Sequence, residues 1–165
     1  MKKNSNFKVG DKVVYPSHGV GEVCGVKSTN VGGAEHKFYE IKIYESGMKI
    51  MVPVAKAEDV GLRPVVGRSA VSKVYKILRD RKVRIGEQTW NRRFRKYSEK
   101  IKTGSVYEMA EVLRDLSVRG KEKQLSFGEK KMFDTVKSLL VSEIAVAKSR
   151  NVEKVMGELS SIISG

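Results

Sequence analysis

The chain is short of the residues that build disulfides and metal sites. Among its 165 residues there is one cysteine, Cys24, so no disulfide can form within the chain. Cys24 lies in the alternating segment GEVCGV, which predicts a small buried thiol. The two histidines, His18 and His36, cannot form a common structural zinc site with a single cysteine. The composition therefore predicts neither a metal nor another cofactor.

Long apolar runs are absent as well. No stretch approaches the ~20 apolar residues that are needed to span a bilayer. The amino terminus, MKKNSNF, runs from basic into polar residues without a hydrophobic segment of signal-peptide length. The sequence therefore predicts a cytoplasmic protein that does not act at a membrane.

The familiar signatures of catalysis are also missing. Gly19, Gly21 and Gly25 miss the dinucleotide-binding spacing G-x-G-x-x-G by one position, and they introduce a strand pattern where that motif requires a helix. Gly120 and Lys121 lack the glycine five residues earlier that a phosphate-binding loop requires. The acidic residues mostly lie at helix caps or on helix faces opposite lysines, and no pair of carboxylates stands out as a general acid and a general base. We therefore predict a protein that is not an enzyme and has no small-molecule substrate.

Positive charge is abundant and unevenly distributed. Lysine and arginine number 33 against 19 acidic residues, which gives a net charge of +14 and a pI near 9.9. Residues 68–102 hold 13 basic and 3 acidic side chains, whereas residues 1–67 hold 10 and 7 and residues 103–165 hold 10 and 9. A basic face spread for solubility would not leave both flanks near neutral. The block at 68–102 therefore indicates a polyanionic partner, most often nucleic acid or an acidic membrane.

The first part of the chain has the periodicity of strands. In residues 9–53 the apolar residues alternate or form short runs, as in KFYEIKIY and MKIMVPV. Turn signals separate these runs at SHGVG (17–21), NVGG (30–33) and ESG (45–47). Four to five short strands are therefore expected, in a small β barrel or a strongly bent sheet.

The second part of the chain has helical periodicity. Its helix-start signals are Thr89, a capping box of Ser105 with Glu108, a second box of Ser126 with Glu129, and Asn151. Together with the apolar stripe in RSAVSKVYKILRD, they predict a compact bundle of about five helices. The fold class is therefore α+β. Glycine and proline in GLRPVVGR (61–68) mark the boundary between residues 1–64 and 65–165.

The only tryptophan stands inside the basic block, in GEQTWNRRFRKYSEK (86–100). The cations that cover most of two neighbouring faces of this predicted helix are Arg92, Arg93, Arg95 and Lys96. On another side, Phe94, Tyr97 and Ile101 are expected to pack against the remaining helices. Because Phe94 already supplies the apolar contact at the next turn, Trp90 is expected to be exposed at the start of the helix.

An exposed indole in a basic groove can bind nucleic acid in two ways. It can stack on an unpaired base, or it can insert at a base step that is open at a duplex junction, while arginines bind the flanking phosphates. The alternative is that Trp90 folds back onto the bundle as an edge of the core. An RNA- or ribosome-associated binding module would have the same composition, so composition does not separate RNA from DNA.

Four long segments occur in the order found in a known family. They are FKVGDKVVYPSHGVGEV (7–23), MVPVAKAEDVGLRPV (51–65), WNRRFRKYSEKIKTGSVYEMAEVLRDL (90–116) and LSFGEKKMFDTVKSLLVSEIAVA (125–147). Together they resemble the bacterial CarD/CdnL family of transcription regulators. The amino-terminal part is also similar to the RNA-polymerase-interacting module of the transcription-repair coupling factor.

The resemblance implies a fold and a function. It implies a Tudor-like or SH3-like β domain (1–64) that binds the β subunit of RNA polymerase, and a helical domain (65–165) that contacts promoter DNA. It implies that Trp90 is a wedge at the upstream edge of the melted promoter bubble, where the residues matching Arg92 and Arg95 contact DNA. Holding this junction apart would stabilise the open complex by differential binding, without a chemical step.

The polymerase-binding residues are expected to depart from the family pattern. Some family members bind the polymerase through arginines of the β domain, and the matching positions here are Thr29 and Met51. The charged contact is therefore expected to be missing. Docking would then rest on the strand that contains Lys49, Met51, Val52 and Pro53, through edge pairing or apolar contact.

Overall fold

The computed structural model describes residues 6–86 and 88–164. Within these residues it has five strands and five α-helices in an α+β arrangement. The strands are β1 (Lys12–Tyr15), β2 (Gly19–Val31), β3 (Ala34–Ile43), β4 (Lys49–Pro53) and β5 (Arg63–Pro64). The helices are α1 (Arg68–Arg79), α2 (Trp90–Lys102), α3 (Val106–Glu122), α4 (Phe127–Lys148) and α5 (Val152–Ser164). No helix in the described residues is long and apolar enough to cross a membrane.

The chain divides into two compact units, one that ends at Val65 and one that begins at Val66. The first unit is an antiparallel sheet with the strand order β4-β3-β2-β1-β5. Its core residues are Val13, Val23, Tyr39, Ile41, Ile43, Val52, Ala57 and Leu62. Within the described residues β4 and β5 are the two edges, so the sheet is open and the predicted barrel closure is not confirmed.

The predicted turns are confirmed. The β2–β3 hairpin turns at Gly32 and Gly33, whose φ angles of 60° and 81° are unfavourable for residues with a Cβ. The β3–β4 hairpin turns at ESG, where the Gly47 N–H donates to the Ile43 carbonyl at 2.9 Å. Between β1 and β2, the His18 N–H donates to the Tyr15 carbonyl at 3.0 Å.

The prediction that Cys24 is buried is wrong. The register between β2 and β3 shifts between Val23 and Gly25, and Val23 takes the inward position at this irregularity. Because adjacent strand residues point to opposite faces, the thiol of Cys24 is exposed and donates to the Glu40 carbonyl at 3.3 Å.

The second unit buries one apolar core among its helices. The fully buried side chains at its centre are Val74, Leu78, Ala110, Val112, Leu113, Leu116, Val136, Leu140, Val155 and Leu159. Most of the predicted caps are confirmed: Thr89 caps α2, Ser126 and Glu129 form a complete capping box on α4, and Asn151 Oδ1 accepts from Glu153 N at 2.7 Å. The box on α3 is half formed, since the carboxylate of Glu108 bonds to the Thr103 hydroxyl instead of the cap.

Candidate nucleic-acid interface

Trp90 is the first residue of α2, and its side chain is half-buried at the margin of the helical core. The Phe94 ring packs edge-on against the indole, with ring centroids 5.6 Å apart, and the Tyr97 ring lies 6.5 Å away. The guanidinium of Arg93 lies 5.1 Å from the indole centroid. Trp90 is therefore not the exposed side chain that was predicted. It lies at the edge of the core, as the alternative stated, and its neighbours there fix its orientation.

Gly128, at the second position of α4, allows the indole to lie where it does. A Cβ at Gly128 would be 3.1 Å from the indole Nε1 and 3.6 Å from Cε2 of Trp90. Such a contact is tighter than ordinary van der Waals packing, so a side chain here would push the indole outward. Sequence reasoning missed Gly128, although a glycine inside a helix is unfavourable enough to indicate a close approach.

Phe94 and Trp90 have exchanged the positions that were predicted for them. Phe94 was expected to pack against the other helices, yet it is 50% exposed. Tyr97 is 4% exposed and faces the core as predicted. The physical reason is that Trp90, one turn earlier, fills the margin of the core that Phe94 was predicted to occupy.

Arg93 does not lie with the exposed cations. It was predicted to face DNA, but the structure leaves it 4% exposed. Its Nη1 lies 3.3 Å from Glu129 Oε2, and its Nε donates to the Gln88 carbonyl at 3.3 Å. Arg119 Nε binds the same Glu129 oxygen at 2.9 Å. Arg93 precedes the buried Tyr97 by four residues, so it shares the inward side of α2 and reaches a carboxylate there.

Glu129 is the acceptor that joins the first turns of α2 and α4. Its burial by itself would raise the carboxyl pKa. Hydrogen bonds from the Ser126 side chain and backbone, together with Arg93 and Arg119, outweigh burial and lower the pKa of Glu129 below its ordinary value. Glu129 is therefore ionised at neutral pH and binds two guanidinium groups, of which Arg93 lies beside the indole.

The remaining predicted cations form an exposed surface on α2, the helix that Trp90 begins. Arg92, Arg95 and Lys96 are exposed and, with Asn91 and Glu99, line an open hollow of about 440 Å³ on α2. In the described part of the chain, none of these three cations has an ion-pair partner. Unpaired cations around an open hollow are well placed to bind phosphate groups. We call Trp90, Arg92, Arg95 and Lys96 the α2 surface.

The residues predicted for polymerase binding fall into four settings. Lys49 and Met51 are exposed on the edge strand β4, and Pro53 is half-buried. Val52 is 2% exposed and belongs to the core of the sheet, so it is unavailable for surface contact. Strand alternation explains this, because Val52 must face opposite to Met51. Thr29 is exposed on β2 opposite His36, beyond the segment of β3 that pairs with β4.

A carboxylate accompanies the exposed residues of β4. Glu40, opposite Met51 in the register, lies 3.1 Å from Lys27 Nζ and 3.6 Å from Lys49 Nζ. The hydrogen bond from Lys27, which outweighs a smaller effect of burial, and the charges of both lysines lower the pKa of Glu40. This face of the sheet therefore carries paired charges around the exposed Met51.

Comparison with known proteins finds two family models that cover most of the chain. The CarD-like/TRCF RID domain matches residues 7–66, and the CarD C-terminal domain matches residues 73–160. The putative transcription factor YdeB of Bacillus subtilis is 35% identical over 146 residues, which cover 86% of this chain and 92% of that protein. The transcription-repair-coupling factor of the same organism is 29% identical over 113 residues, or 68% of this chain and 8% of that protein.

A solved structure, CdnLNt from Myxococcus xanthus, is 48% identical and covers 40% of this chain and 90% of its own, with a TM-score of 0.32. The two domain matches follow one another along the chain, and the match to YdeB extends over nearly the whole of both proteins. The chain therefore belongs to the CarD family of bacterial transcription regulators.

Proposed function

We propose that this regulator binds RNA polymerase through its β unit and contacts promoter DNA through the α2 surface, at the upstream edge of the melted bubble. The observation that carries the proposal is the setting of Trp90. Its indole packs against Arg93, Phe94 and Gly128, while the residue as a whole remains partly exposed. The exposed cations of the α2 surface follow it on the same helix, within the next six residues.

The α2 surface suits a junction between paired and unpaired DNA. An aromatic ring stacked on an unpaired base contributes about 1–3 kcal/mol, and arginines and lysines add phosphate contacts that weaken with salt. The stacking interaction forms only with the open promoter, because only the open form exposes unstacked bases, whereas the phosphate contacts form with either state. Differential binding of this size would lengthen the lifetime of the open complex by roughly 5- to 150-fold.

The β unit is the proposed polymerase contact, and its partner is the β subunit. The match of residues 7–66 to the CarD-like/TRCF RID domain supports polymerase binding. On β4 the edge offers backbone groups for strand pairing, and Lys49 and Met51 are exposed beside it. Thr29 is exposed at the far end of the β2–β3 hairpin and is proposed as a separate, peripheral contact. A protein with this partner acts in the cytoplasm, without a chemical step.

The lifetime of open complexes tests the proposal. Open complexes of the cognate holoenzyme are formed under four conditions: without this protein, with the wild type, with Trp90→Ala or with Trp90→Phe. A competitor is then added, and the decay of the complexes is followed. We expect the wild type to lengthen the lifetime, Trp90→Ala to lose most of this effect, and Trp90→Phe to keep part of it. Binding of each variant to polymerase without DNA is measured in parallel and should be unchanged.

Two results would contradict the proposal. If Trp90→Ala lengthens the lifetime as much as the wild type while it remains folded in a thermal melt, the indole is not the DNA contact. If the wild type fails to bind polymerase and copurifies with ribosomal RNA, the α2 surface serves RNA instead.

A further inference from the structure

Phe127 is exposed to a degree that no requirement of folding explains. It is the first residue of α4, directly after the cap Ser126, and it is 85% exposed. A ring in this position contributes almost no buried apolar area to the folded state, although phenylalanine is among the residues that are most often buried. A single exposed aromatic residue is not unusual in itself, so its surroundings decide what it can do.

The first turn of α4 contacts the first turn of α2 through two interactions. The indole of Trp90 lies against Gly128, and Arg93 Nη1 binds Glu129 Oε2 at 3.3 Å. Phe127 directly precedes Gly128, and consecutive Cα atoms are only about 3.8 Å apart. The backbone of Phe127 is therefore fixed within about one residue of the point that the indole touches. Trp90 and Phe127 hold the same first helical position on their respective helices.

Cations accompany Phe127 as they accompany Trp90. Lys130 and Lys131 follow it by three and four residues, so they lie on the same side of α4, and both are exposed. The amino-terminal ends of two helices also meet here, and each carries a partial positive charge. An exposed aromatic ring among cations favours a polyanion with flat, stackable groups over an apolar protein surface.

We propose that Phe127 is a second base-contacting residue, which stacks on an unpaired DNA base next to the one that Trp90 contacts. The DNA site rests on the proposed function, whereas the aromatic pair is a new feature of it. One indole can contact one unstacked base. Two aromatic residues at adjacent helix starts allow the protein to contact two consecutive bases, so that the bound DNA extends from the junction into the single strand.

Forked DNA tests this proposal without polymerase. The full chain is titrated at low salt against a fork that carries 2-aminopurine at the first or at the second unpaired position, and against the fully paired duplex. The variants are Phe127→Ala, Phe127→Leu and Phe127→Tyr. Val152→Ala is the matched control, because Val152 is the first residue of α5 and is 50% exposed.

We expect Phe127→Ala to weaken binding to the fork about 5-fold or more and to leave binding to the duplex unchanged. Fluorescence quenching at one of the two 2-aminopurine positions should depend on Phe127, and quenching at the other should depend on Trp90. Phe127→Tyr should behave as the wild type, Phe127→Leu as the alanine variant, and Val152→Ala should have no effect. A side chain that is 85% exposed can be removed without unfolding the protein, which a thermal melt confirms.

Several results would overturn the proposal. The wild type could bind the fork no better than the duplex, or not bind the fork at all. Phe127→Leu could bind the fork as tightly as the wild type. Phe127→Ala could lose binding to polymerase in the absence of DNA. Open-complex lifetimes distinguish failure of the present inference from failure of the proposed function. If Trp90→Ala shortens the lifetime but Phe127→Ala changes neither fork binding nor lifetime, only the present inference fails. If fork binding depends on both rings but the wild type does not affect lifetime, only the proposed function fails.

Discussion

Replacing Glu129 with glutamine should destabilise the helical unit by about 3 kcal/mol or more, because it leaves a buried guanidinium without its counter-charge. Arg93 is 4% exposed, and its side chain lies 3.3 Å from Glu129. Without that carboxylate, Arg93 retains the carbonyl of Gln88, the ring of Trp90 and the hydroxyl of Tyr97, and none of them carries a charge. A charged group this deeply buried cannot recover its hydration without local opening.

The reverse change should have a smaller effect. In Arg93→Met, Glu129 retains Arg119 Nε at 2.9 Å and the Ser126 N–H at 3.4 Å, so its charge is still compensated. Methionine also replaces much of the apolar stem of arginine and adapts to irregular space. We therefore expect a loss of about 1–2 kcal/mol, and we expect Arg93→Met to be the milder of the two single variants.

Urea unfolding of the full chain measures this difference. The two single variants, the double variant and the wild type are compared at neutral pH, where the expected losses are a sizeable part of a total stability of roughly 5–15 kcal/mol. The double variant should be at least as stable as Glu129→Gln alone, since it no longer contains an unpaired buried arginine. If Arg93→Met loses as much stability as Glu129→Gln, or if the double variant is the least stable of the set, the account of the ion pair is refuted.

Three further predictions concern acid stability, the β unit and DNA contact. Because folding lowers the pKa of Glu129, the contribution of its carboxylate to stability is complete above the ordinary pKa of 4.5 and is lost as the pH falls through the lowered pKa. In pH-dependent unfolding, the difference in stability between wild type and Glu129→Gln should therefore narrow below pH 4.5. A difference that stays constant would contradict this. Val52→Ala should lower stability by roughly 2 kcal/mol, whereas Met51→Ala should change it by less than about 0.5 kcal/mol and weaken polymerase binding instead, as a melt and a binding titration will show. Arg92→Ala and Arg95→Ala should each lower DNA affinity evenly across promoter sequences and reduce the salt slope by about 1, and a loss confined to some sequences would argue for base readout.

Local sequence signals predicted the framework of the helical unit. The cap at Thr89 and the box of Ser126 with Glu129 are contained within three or four consecutive residues, so the sequence is sufficient to identify them. The hairpin turn at Gly32 and Gly33 is similarly local. Each of these signals depends on backbone groups that lie close by in the chain, whatever the tertiary structure is.

The details of the α2 surface depend on residues far away in the sequence. Arg93 is buried because Glu129, 36 residues later, supplies a carboxylate at the right place. Trp90 lies at the core margin, where Gly128 leaves space for its indole, and Phe94 is exposed. Neither Glu129 nor Gly128 appears on a helical wheel of residues 90–102. Periodicity alone could therefore show which cations share a face of α2, but it could not show which face packs against the rest of the unit.

The half-buried state of Trp90 affects how strongly it can bind. Immobilising a free side chain at an interface costs about 0.5–1.5 kcal/mol, and Trp90 has already lost this freedom on folding, through its contacts with Arg93, Phe94 and Gly128. Phe127, at 85% exposure, must lose its rotational freedom when it binds. Equal stacking on a base would therefore give Phe127 the smaller net contribution. Trp90→Ala should consequently weaken fork binding more than Phe127→Ala, and the opposite order would show that preorganisation of the indole is not what makes it effective.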